Sequence, residues 1–156
     1  MARASEHEAA KLVSQMADEQ PAVLSYLTGL QDLQFNDHEH ELVFYIGMVV
    51  WQIMNQGNLQ LYEVTADKLR MAGESNTELL EQLMLGSKNG CVEAAWSLAG
   101  EHPEPEVIRY VVEAIQESLP DEPGIRPKNE GLAYIHVKIL VDAFVSCLAP
   151  RPHLAA

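Results

Sequence analysis

Thirteen consecutive residues, Leu42 to Met54, are apolar apart from Gly47 and Gln52. Wound into a helix, they leave no polar stripe, and a helix apolar all round belongs inside a protein. This run is about half of what a membrane span needs. It therefore points to a buried core helix, predicted over residues 37–56 and placed at the centre of the fold. Asn36 or Asp37 is suited to cap its start, and Gly57 to end it. Asp37, Glu39 and Glu41 occupy the first turn, where a helix N-terminus favours anions.

Elsewhere apolar residues recur at helical spacing, and no long polar/apolar alternation marks a half-buried strand. The class read from this pattern is all-α: a single compact bundle of about seven or eight helices, residues 1–156, around the 37–56 helix. Ser5 and Glu8 form a capping-box pattern before Ala9, Leu12, Val13 and Met16. Pro21 opens a second helix carrying Val23, Leu24, Leu27 and Leu30. Residues 58–71 read as a helix with a poorly phased stripe, with a break expected near the β-branched pair Val64 and Thr65. A short helical hairpin is predicted over residues 77–99. Val107, Ile108, Val111, Ala114 and Ile115 then form the buried stripe of a helix introduced by Pro103 and Pro105.

Pro120, Pro123 and Pro127 stiffen one long loop before the final helix, expected over residues 129–148. That helix turns Ile135, His136, Ile139, Leu140, Ala143 and Cys147 inward, with Lys138 and Asp142 paired on its outer face. Pro150 and Pro152 stop it, and residues 149–156 are expected to form a flexible tail.

The charge balance excludes several functions. Ten Lys+Arg against 23 Asp+Glu give a net charge of -13, and no basic residue lies between Lys11 and Lys68. Nucleic acid and anionic membranes are repelled by such a surface. A basic protein partner is attracted. Cys91 and Cys147 fit neither a disulfide framework nor a zinc motif, and Met1 to Glu8 lacks an apolar signal core, so a cytoplasmic protein is expected. No Gly-x-Ser-x-Gly elbow, Walker sequence or dinucleotide fingerprint is present, and no cofactor is implied.

The leading expectation is a non-catalytic acidic interaction module that binds a protein partner or a second copy of itself. Its interface residues are Asp37, Glu39 and Glu41, with Arg126 and Lys128 as a second patch. The rival is a metal or small-ligand site, with the chance of a metal-dependent enzyme. On a helix, Asp37, His38, His40 and Glu41 are neighbours at i,i+3 and i,i+4, and His136 is the one histidine on an inward stripe that could join them. A third reading takes residues 77–99 and 104–118 as HEAT-like hairpins of a helical-repeat fragment.

Overall fold

The computed structural model describes residues 6–79, 81, 102–117 and 124–151. Within them the chain forms six α-helices, a further helical piece at residues 77–79 and 81, one 3₁₀ turn and one two-stranded ribbon, an all-α protein in class. In chain order these are α1 (Glu6–Glu19), α2 (Pro21–Gly29), the 3₁₀ turn Leu30–Asp32 and α3 (Asp37–Asn55). Strand β1 (Leu59–Leu61), α4 (Ala66–Ser75), α5 (Pro105–Gln116), α6 (Pro127–Ser146) and β2 (Leu148–Pro150) complete the series. No helix among these residues is long and apolar enough to cross a membrane.

The helix starts follow local chemistry. Pro21, Pro105 and Pro127 open α2, α5 and α6, where a missing N–H costs nothing. Asn36 caps α3 by accepting the Glu39 N–H at 2.8 Å, while the Glu39 carboxylate returns the bond to the Asn36 N–H at 2.9 Å. Thr65 accepts the Lys68 N–H at 3.2 Å and starts α4 at the break expected beside Val64. Helix α3 leaves through Gln56 in an ordinary right-handed turn. Gly57 follows directly, ending the helix as expected, and does so without a left-handed turn, since no glycine among the described residues has positive φ.

Packing assigns the deepest place to α6. It buries Ala133, Tyr134, Ile135, Val137, Ile139, Leu140, Val141, Ala143 and Phe144 on nearly every side and packs against α3, α4 and α5. Helix α3 buries Val43, Ile46, Met48, Val50, Trp51 and Met54 but leaves Tyr45 and Ile53 exposed by 44% and 40%. The all-round burial expected of 37–56 thus belongs to the last helix. Its polar residues concealed this, because their heads find partners inside the fold. Helix α2 crosses α3 closely at Gly47, where an added Cβ would lie 2.7 Å from Leu27 Cδ2. Met16, Val23 and Leu27 are fully buried beside this crossing, with Leu12 and Val13 packed against the core.

Two further differences follow from short elements. Strands β1 and β2 pair antiparallel, Leu59 opposite Pro150 and Leu61 opposite Leu148. Three residues are too few for a period-2 pattern to register. Residues 149–150, expected in a flexible tail, are therefore tied into the fold. Of the predicted 77–99 hairpin, residues 77–79 and 81 are helical. The rest of that hairpin, Cys91 and Trp96 included, lies outside the described residues, as do Ser5 and residues 118–123 of the proline loop.

Candidate functional site

The acidic start of α3 and the Arg126 patch, expected as two surfaces, meet in one cluster. Glu39 is third in the helix, so its side chain turns back toward Asn36 and beneath the chain entering α6. Its side chain has no exposed surface. Oε1 accepts from Arg126 Nη2 at 2.7 Å and Asn129 Nδ2 at 3.0 Å; Oε2 accepts from the Arg126 N–H at 2.8 Å and Nε at 3.1 Å. Burial pushes the Glu39 carboxyl up. The Arg126 guanidinium, the two backbone N–H groups and Asn129 outweigh that and hold it at about 2.

As an interface residue, Glu39 is corrected by this geometry: it is inaccessible, and its oxygens are taken by Asn36, Arg126 and Asn129. Arg126 stays 43% exposed while paired to it, and its Nη2 also reaches the Gln34 carbonyl at 3.3 Å. Asp37, Glu41 and Lys128 remain exposed.

The histidines named as metal ligands point elsewhere. His40 Nε2 lies 3.0 Å from the Leu27 carbonyl, which can only accept, so Nε2 carries the ring proton. His136, pushed down by burial, places Nδ1 2.8 Å from the Tyr26 hydroxyl of α2. The same hydroxyl donates to the His136 carbonyl at 3.2 Å. With that bond made, it takes the Nδ1 proton as acceptor. His38 is half-buried, and its Nε2 has no partner among the described residues. Among the described residues no group of three or more His, Cys, Asp or Glu is placed to hold a metal ion.

A second polar cluster lies where α4 and the turn before α5 meet α6. Lys138 and Asp142 pair at 2.7 Å as expected, but not outside: their side chains are 13% and 24% exposed. Asn76, just past α4, donates to Asp142 Oδ2 at 2.9 Å and accepts from Lys138 Nζ at 2.7 Å. His102 Nε2 meets Asp142 Oδ1 at 2.6 Å, and its Nδ1 accepts the Glu104 N–H at 2.9 Å. A backbone N–H only donates, so the His102 proton sits on Nε2 and both ring nitrogens are engaged. Burial pushes Asp142 up, but Lys138, Asn76 and His102 together hold it below its ordinary value.

This quartet ties α4, the turn before α5 and α6 together, leaving His102 without a lone pair for proton transfer. One turn earlier on the same face of α6, Tyr134 is 4% exposed and its hydroxyl has no partner among the described residues. Burial and the Asp142 charge push this phenol up to about 12. Only the i,i+4 spacing of Lys138 and Asp142 signalled the quartet in the sequence, because Asn76 and His102 are distant in the chain.

No protein-family model, curated protein or solved structure matches this chain.

Proposed function

We propose that the protein is an interaction module for a cationic protein partner, working by binding and not by catalysis. One observation carries this reading. Arg70, Arg109, Arg126 and Lys138 are held in ion pairs with carboxylates. Many exposed acids, among them Asp37, Glu41, Glu63 and Glu113, have no cationic partner among the described residues. The surface field is thus strongly negative, and such a field steers and selects a basic partner.

The test is the binding of fluorescent poly-lysine across a salt series. The reading expects binding that weakens as salt rises and that drops several-fold in the Asp37→Lys/Glu41→Lys double variant. Absence of binding at low salt, or affinity indifferent to salt, overturns it. A second reading, self-association, is favoured by the exposure of Ile53 on α3. Native mass spectrometry tests it: a monomer at all concentrations rejects it.

A further inference from the structure

Among the described residues, the outer edge of β1 pairs with no other strand. Tyr62 N–H donates to the Cys147 carbonyl at 2.9 Å, so Tyr62 faces β2. Backbone groups alternate along a strand. Gln60 therefore also faces β2, opposite Ala149, while Leu59 and Leu61 aim their N–H and C=O groups away from it. The Leu61 carbonyl takes a long 3.5 Å bond from the Gln60 amide. Among the described residues, the Leu59 N–H and C=O and the Leu61 N–H have no hydrogen-bond partner.

Unpaired backbone groups of this kind are tolerated where water reaches them and form a template for another strand. The outer edge of β2 is the poorer template, since Pro150 has no N–H to offer.

The surroundings select the occupant. Leu59 and Tyr62 are exposed by 41% and 47%, giving an incoming strand apolar contact on both faces of the ribbon. Gln20 bonds Tyr62 O at 3.1 Å and Val64 N at 2.7 Å, which places the end of α1 beside the exit of β1. That end carries exposed Asp18 and Glu19 and has no basic residue in its last turn. Glu63 follows the strand, also exposed. An extended segment with alternating basic and apolar residues meets both demands. A second copy brings its own -13 charge to the contact.

We infer that β1 is the grip of this protein: its outer edge takes up an extended, basic segment of a partner as a third strand. Main-chain bonds to Leu59 and Leu61 supply affinity, and Asp18, Glu19 and Glu63 at the exit of the strand supply selectivity. Arg151, bonded to the Gly57 carbonyl and Gln60 Oε1, occupies its entrance and places the basic residues of the partner at the exit. This rests on the reading that the partner is cationic and adds where and in what conformation it is held.

The experiment uses the full chain and two labelled hexapeptides of equal charge, one alternating lysine and valine, the other lysine and proline. The proline peptide cannot pair as a strand. Binding is read by anisotropy, and amide exchange is followed at Leu59 and Leu61. The expected result is that the valine peptide binds at least about tenfold more tightly than the proline peptide and slows exchange at both amides. Leu59→Pro, which removes an outward N–H and no ladder bond, weakens it by a similar factor, while Leu59→Ala keeps the N–H and most of the affinity.

Equal, salt-sensitive binding of both peptides without amide protection overturns the strand grip and leaves the cationic-partner reading standing. Binding of neither peptide overturns both. A dimer that Leu59→Pro dissolves, with no peptide bound, overturns the assignment of the occupant in favour of a second copy.

Discussion

Replacing Glu39 with alanine removes the acceptor for four donor groups at once: the Asn36 and Arg126 N–H groups, the Asn129 amide and the Arg126 guanidinium. A carboxyl held at about 2 against an ordinary 4.5 corresponds to about 3 kcal/mol of folding free energy. The Arg126 side chain is 43% exposed, so solvent screens its share and about 2 to 3 kcal/mol is the expected loss. For a chain of this size that lowers Tm by about 5 to 10 °C.

Because the folded carboxyl lies below its ordinary value, its contribution is complete above about pH 4.5 and is lost as pH falls toward about 2. Urea unfolding of both proteins, repeated down that range, should show the gap between them closing. Arg126→Ala, which keeps its own backbone N–H and the Asn129 amide on the carboxylate, should cost less than Glu39→Ala. A loss below about 1 kcal/mol for Glu39→Ala near neutrality, or a gap that does not close in acid, would refute the reasoning.

Three other outcomes test the packing. Gly47→Ala places a methyl 2.7 Å from Leu27 Cδ2, a fully buried side chain with little room to move, and should destabilise by about 1 to 2 kcal/mol despite the better helix propensity of alanine; a raised melting temperature would show that Leu27 yields freely. Asp142→Ala strands Lys138 and His102 and should cost about 2 to 3 kcal/mol, and a double-mutant cycle with Lys138→Met should give coupling of about 1 kcal/mol or more, whereas additive losses would mean the quartet does not act as a unit. Tyr134→Phe deletes a buried hydroxyl that has no partner among the described residues, so denaturant unfolding should find it neutral or stabilised by up to about 1 kcal/mol; a clear loss would mean the hydroxyl is satisfied in solution.

How far the sequence could be read depended on the range of the interaction. Periodicity, prolines and caps are local, so α2, α5, the Asn36 cap and the Val64–Thr65 break were legible. The three-residue strands left no pattern, and their pairing joins residues far apart in the chain. Glu39 and Arg126 were both picked out, but as separate surface patches: composition marks a charge and does not say that the chain entering α6 folds over it. Asn76 and His102 carry no signal near Asp142. Burial of a polar residue needs partners from other elements, and a pattern within one helix cannot show them.

Helices α3 and α6 start together at Glu39 and finish together at the ribbon, so these neighbours run parallel. Their macrodipoles therefore lie side by side with like poles touching, each N-terminus carrying roughly half a positive charge. One ionised carboxylate, bonded at once to the capping N–H of α3 and that of α6, offsets both halves. Mutual repulsion of two parallel dipoles is thereby turned into a shared attraction, and the two most buried helices are pinned in register by a single negative charge.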